Sequence, residues 1–244
     1  MCEICDRNAL SKFEPGRRRL LRSAAATMGL LLANAAGAKE MKAPPKPQNV
    51  VSPDASLERL LKGNARYVKG VSRRHDFKHE REALVGGQNP YAAILSCADS
   101  RIAPEYAFDS GRGDLFVCRV AGNFANTETI ASLEYAVAVL NAPLIMVLGH
   151  DSCGAVDAAI KSLADNTTLP GHMPSLVAGV ASAVKAVSQQ GGDTLSKAIR
   201  QNVIDAVTNL TSATPILSAA VEQRKIRVVG GVYRLGDGRV DMVT

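Results

Sequence analysis

The sequence predicts an α/β fold, a mainly parallel β-sheet flanked by helices with a helical arm at its N-terminal end. Three observations point to it. "YAAILS" (91–96), "DLFVCRV" (114–120), "LIMVLG" (144–149) and "IRVVGGVY" (226–233) are short, nearly unbroken apolar runs, the pattern of strands buried on both faces. Segments of helical periodicity alternate with them. A chain of 244 residues, 46% hydrophobic and without Trp, suits one closed core of helices on a sheet better than a base-stacking surface.

The elements follow in order from the N-terminus. "PGRRRLLRSAAATMGLLLANAAGAKE" sets Arg17, Arg18, Arg19 and Arg22 ahead of an Ala/Leu-rich stretch over 23–36, and Ala36-Gly37-Ala38 precedes the next charges. Charged, apolar and small-residue regions in that order describe a cleavable export signal. The apolar part is too short to persist as a membrane span. The paired arginines followed by x-Leu-Leu-Arg resemble a twin-arginine signal, which hands over proteins already folded. Residues 1–38 are thus expected to direct export to the periplasm and to be removed; the competing reading is a basic leader that stays in the cytoplasm.

That division decides two other points. Residues 1–38 hold six Lys/Arg and three Asp/Glu, so +3 of the chain's +6 belongs to the leader. The remainder is spread without a basic stripe, which argues against a nucleic-acid partner. Cys2 and Cys5 also fall in the leader, and a lone CxxC without a second ligand pair is a poor metal signal. Cys97, Cys118 and Cys153 remain, an odd number with no close pair, against a disulfide framework.

Residues 39–53 read as a Pro-rich linker and 54–244 as a single α/β domain. Ser52, Pro53 and Asp54 signal a helix start, and Leu57, Leu60 and Leu61 give it an apolar face. The charged segment 71–90 reads as a second helix ending at Gly86-Gly87. Further helices are expected over "NTETIASLEYAVAVL" with Asn126 or Thr127 near its cap, from Cys153–Gly154 onward, and over 174–190 and 194–222. "RLGDGRV" turns the chain into a last short strand.

In open α/β sheets, ligands collect beyond the carboxyl ends of the strands. Cys97 ends the first predicted strand and His150 the third, so both fall at that edge. Cys153, three residues beyond His150, opens a helix whose N-terminus favours a thiolate. Two Cys and one His form a familiar ligand set for catalytic zinc, with the fourth position open. Each residue alone has a plainer reading: a buried Cys usually packs, and an exposed Asp99–Arg101 pair contributes little. Their coincidence at one edge favours a site. Cys118 lacks such company and reads as core. His75 and His79 could relay protons, although a solvated helix face accounts for them more simply, and His172 reads as a loop residue.

Cys97-Ala-Asp99-Ser-Arg101 and His150-x-x-Cys153-Gly154 resemble the two signatures of the β-class carbonic anhydrases. "GQNP", "FVCRVAGN", "SLEYAV" and "GGVYRLGDGRV" resemble family segments in the right order, and the likeness extends over about residues 55–244. It implies one Zn²⁺ per chain on Cys97, His150 and Cys153, with Asp99 and Arg101 as a catalytic dyad. It also implies a substrate cleft lined by Gln88, Phe116, Tyr135, Gly122 and Asn123, and a homodimer or larger homo-oligomer with clefts between subunits. In a closed state Asp99 would become the fourth ligand. Arg234 stands where the family often has an acidic residue, and Ile94 replaces a Trp that some members use in an inhibitory bicarbonate pocket.

The activity so implied is reversible hydration of carbon dioxide to bicarbonate and a proton through water activated at zinc. A hydrolase of carbonyl sulfide or carbon disulfide on the same scaffold is the nearest alternative. A catalytically silent zinc-stabilised domain is the third.

Overall fold

The computed structural model describes residues 50–244. The leader with its arginines, Cys2 and Cys5, and the linker up to residue 49 lie outside the described residues. Helix α1 (Pro53–Val68) starts where the Ser52 hydroxyl accepts the Ala55 amide at 3.2 Å, with Pro53 in the first turn. Helix α2 spans only Phe77–Leu84, shorter than the charged segment suggested. The reason is local. Asp76 caps it, and the residues before it are drawn away, because the Ser72 hydroxyl and the Arg73 amide both donate to Asp109.

Strand β1 (Ala92–Ser96) is followed by a one-turn helix, α3 (Pro104–Ala107), which the apolar pattern did not announce. Then come β2 (Leu115–Arg119), α4 (Thr127–Ala138), β3 (Leu144–His150), α5 (Gly154–Ala164) and α6 (Pro174–Val187). Asn126 and Thr129 form a reciprocal capping box at the start of α4. The expected helix over 194–222 is two, α7 (Thr194–Ser212) and α8 (Ile216–Glu222). Pro215 has no amide to continue the first, so the chain turns there. Strands β4 (Arg227–Tyr233) and β5 (Val240–Met242) close the chain.

The sheet order is β2-β1-β3-β4-β5, with the first four strands parallel and β5 antiparallel to β4. Every residue of β1 and β3 is buried, as two-sided coverage requires. Their side chains alternate between two cores. Ala93, Leu95, Ile145 and Val147 face a larger cluster with α4 to α8, while Ala92, Ile94, Met146 and Leu148 face a smaller one that includes Leu60 of α1.

Helix α1 is fastened to the smaller core through a buried amide. Asn64 Nδ2 donates to the carbonyls of Ala107 and Gly238 at 2.9 and 2.8 Å, and its Oδ1 accepts the Val240 amide at 3.0 Å. Its sequence neighbour Gly63 meets backbone so closely that a Cβ there would collide with the Phe108 carbonyl oxygen. Gly63→Ala is therefore expected to cost about 2 kcal/mol or more in chemical denaturation, because the obstacle is main chain and cannot swing aside.

Candidate metal centre

The parallel register brings the two signatures together. Ser96 of β1 pairs with Leu148 of β3, so Cys97 and His150 emerge from the carboxyl ends of adjacent central strands. Cys153 is the N-cap of α5, where the helix N-terminus favours a negative sulfur. The chain reaches it through Ser152 at φ +52°, a left-handed turn in two residues.

Cys97, His150 and Cys153 are all buried, and their ligand atoms lie within 4.8 Å of one another. The sulfurs are 4.0 Å apart. Two sulfurs at about 2.3 Å from one tetrahedral zinc would lie about 3.8 Å apart, so the pair fits that ion. The imidazole agrees. Its Nδ1 lies 2.8 Å from the Asp151 carbonyl, which can only accept, so Nδ1 carries the proton and Nε2 is bare. That Nε2 is buried and has no hydrogen-bond partner. An orphaned buried nitrogen is costly unless something such as a cation takes its lone pair.

The thiols differ in acidity. Donation from Cys153 is the main influence lowering the Cys97 pKa; burial opposes it, and the Gly122 amide assists. Cys153 moves the other way, because its proton is held by Cys97 and by burial. A metal held there would displace that shared proton and take both sulfurs as thiolates. Burial opposes charge on His150, but the nearby negative Cys97 sulfur raises its pKa overall.

Asp99 stands beside the ligands and is held away from them. Its Oδ1 accepts the Arg101 amide and Nε, each at 2.9 Å, and its Oδ2 accepts Arg101 Nη2 at 2.7 Å. Oδ2 is 3.9 Å from the bare His150 Nε2. The Arg101 hydrogen bonds keep the Asp99 carboxyl well below the usual carboxylate range. Such a depressed value leaves it ionised at neutral pH, and its contribution to stability is lost only as pH falls through that low value.

Gly122, at φ +88°, donates its amide to Cys97 Sγ at 3.3 Å, and its carbonyl accepts Asn202 Nδ2 at 2.7 Å. Asn123 is buried beside it with a free Nδ2. Sequence reasoning missed Asn202, a polar residue on the buried face of α7, and it missed Arg119. The Arg119 guanidinium donates to the carbonyls of Cys97, Asp99 and Ile102 at 2.9, 2.7 and 3.0 Å. A lone arginine inside the apolar run "FVCRV" was the available signal for it.

The other expected cleft residues are not joined to the ligands within one chain. Gln88 is exposed ahead of β1, at the opposite end of that strand from Cys97. Phe116 pairs in register with Ala93, low on the sheet, and forms a tilted ring pair with Tyr135 at 6.2 Å. Tyr135 is 48% exposed. His75 bonds Glu80 and stacks on Phe77, while exposed His79 pairs with Asp76. The His172 carbonyl accepts the Ser175 hydroxyl in its loop. Cys118 is half-buried and packs against the larger core, Ile94 is fully buried, and Arg234 pairs with Asp241 at 2.7 Å.

Residues 92–240 match the family model for carbonic anhydrase. Carbonic anhydrase 2 of Mycobacterium tuberculosis is 39% identical over 189 residues, covering 77% of this chain and 91% of that protein. The solved β-carbonic anhydrase CcaA superposes with a TM-score of 0.59 at 27% identity, covering 77% of this chain and 98% of its own. A β-carbonic anhydrase from Sordaria macrospora, described as tetrameric, shares the fold at TM-score 0.62 and 24% identity, covering 78% of this chain and 97% of its own. The chain belongs to the carbonic anhydrase family, in its β class. It is a zinc enzyme, and its activity is the reversible hydration of carbon dioxide. Purified protein is expected to carry about one zinc per chain, and Cys153→Ser to lose nearly all of it, as read by elemental analysis after dialysis.

Proposed function

We propose that Asp99 and Arg101 form the dyad that directs this reaction, next to a metal held by Cys97, His150 and Cys153. The buried, unpartnered His150 Nε2, with the Asp99 carboxylate 3.9 Å away and restrained by Arg101, is the observation that carries the reading. Zinc, when bound, lowers the pKa of a water towards ~7 and so supplies hydroxide at neutral pH. With the metal in place, the Asp99 carboxylate would accept a hydrogen bond from such a water and orient it towards the carbon of carbon dioxide. Arg101 keeps Asp99 ionised and turned aside from His150 Nε2. Gly122 steadies the Cys97 sulfur through its amide, and Asn123 follows it at the edge of the site.

Gln88, Phe116 and Tyr135 complete the cleft from a neighbouring copy in a homodimer or larger homo-oligomer. Their separation from the ligands within one chain supports this, as does the exposed Tyr135 ring. There Gln88 would donate to the developing bicarbonate oxygen while the two rings exclude bulk water. Carbon dioxide is favoured over carbonyl sulfide or carbon disulfide because the curated relatives are named as carbonic anhydrases. The dyad argues against a silent zinc domain. Asp99→Ala is expected to keep its zinc and lose at least about 100-fold in hydration rate, measured by stopped flow with a pH indicator. An undiminished rate would remove Asp99 from the mechanism.

Export of the folded, metal-loaded protein through a twin-arginine-type signal in residues 1–38 is proposed from the order of Arg17–Arg19, the apolar stretch and Ala36-Gly37-Ala38. The ligand chemistry supports it, since unfolded Cys97 and Cys153 would be open to oxidation in the periplasm. Among the described residues no helix is long and apolar enough to cross a membrane. Replacing Arg17, Arg18 and Arg19 with lysine is expected to leave the activity in the cytoplasmic fraction, and unchanged periplasmic activity would refute the route.

A further inference from the structure

Taking Cys97 as a metal ligand, as assigned above, we propose that Asn202 is a positioning residue that sets how strongly the Cys97 sulfur donates charge to the metal, acting through Gly122. Asn202 lies on α7, a helix that carries none of the ligands, and is 3% exposed. Its Nδ2 donates to the Gly122 carbonyl at 2.7 Å, and the Gly122 amide donates to Cys97 Sγ at 3.3 Å. Two hydrogen bonds in series thus join a buried side-chain amide of α7 to a sulfur at the tip of β1. The two sulfurs are served differently. Cys153 caps α5 and has that helix's N-terminus beside it, whereas Cys97 ends a strand and has the Gly122 amide instead. An N–H aimed at a metal thiolate draws charge from the sulfur, so a bound metal keeps more of its positive charge and polarises its water more strongly.

Gly122 needs holding in place. It sits at φ +88°, where side chains are rarely tolerated, and a Cβ there would come within 3.0 Å of Val180 Cγ1 on α6. The site therefore takes glycine, the residue with the freest backbone. Its amide and its carbonyl belong to adjoining peptide planes hinged at one Cα, so fixing the carbonyl limits how far the amide can swing from the sulfur. The plane that bears the carbonyl is also tied by the Asn123 amide, which donates to the Val120 carbonyl at 2.9 Å. That bond lies within the turn and travels with it. Asn202 is what ties the turn to α7, and without it the Gly122 carbonyl would be buried with its partner gone, a costly state that favours rotation of the turn.

The test uses the full-length protein loaded with Co²⁺, whose near-ultraviolet absorption contains the charge transfer from thiolate to metal. A sulfur that loses a hydrogen bond gives up charge more readily, so in Asn202→Leu that band moves to lower energy. In the metal-free protein, exchange of the Gly122 amide with solvent quickens at least about tenfold, a readout independent of metal. Hydration by the zinc form falls about tenfold or more. An unmoved band, unquickened Gly122 exchange or undiminished hydration each overturns the proposal. Leu210→Ala removes a fully buried side chain from the same helix, about two turns beyond Asn202, and is expected to lower stability while leaving the band in place. An equal shift there would mean general loosening and overturns the proposal too. Should Asn202→Leu fail to fold, Asn202→Ser serves: its hydroxyl is one bond too short for the Gly122 carbonyl, and an unmoved band there overturns the proposal. Absence of any thiolate-to-metal band in the unaltered protein defeats the ligand assignment itself, whereas a band that Asn202→Leu leaves in place defeats the role of Asn202 alone.

Discussion

The parallel pairing of β1 with β3 is the constraint on which the rest depends. Because Ser96 stands opposite Leu148, the two strands end within two residues of each other, and Cys97 and His150 leave the sheet side by side. A shift of one residue would turn every side chain of a strand to the other face and carry one ligand away from the other. Register is specified here by burial: β1 and β3 are covered on both faces and have no solvent side to slip towards. The hydrophobic cores therefore position the metal ligands as much as they stabilise the domain.

Around that fixed pair, main-chain groups supply much of the fine geometry. The Asp151 carbonyl selects the His150 tautomer, the Gly122 amide touches the Cys97 sulfur, and Asn202 secures Gly122 from α7. These contacts orient the ligands without coordinating anything. They also couple α7, a helix packed on the far side of β3 and β4 from α1, to the chemistry at the strand tips. The centre is supported by helices that the ligand motifs do not mention.

The sequence carried much of this, unevenly. All four parallel strands were legible, because burial on both faces leaves an unmistakable apolar run, and the cluster of Cys97, His150 and Cys153 was legible because its first two members directly follow such runs. The start of α4 was visible as Asn126 or Thr127, short polar side chains before a helical period, and Asn126 is the cap. Helix α3 was not, because four residues give no periodicity; Pro104 was its only mark. The break before α8 hid behind continuous helical propensity, although Pro215 signalled it. The contacts of Arg119 and Asn202 were hidden for a different reason. Each acts on backbone groups distant in sequence, and a single chain's pattern holds no trace of which carbonyl a side chain will meet.

The closeness of two sulfurs drawn from chain positions 56 residues apart has a topological consequence. Any ion gripping both of them ties the polypeptide into a loop of that length, much as a covalent bridge would. Removing that freedom from the unfolded chain is worth about 4 kcal/mol on the usual loop-entropy relation. The catalytic ion is by this reasoning also a removable cross-link, and stripping it should loosen the whole domain rather than its active corner alone.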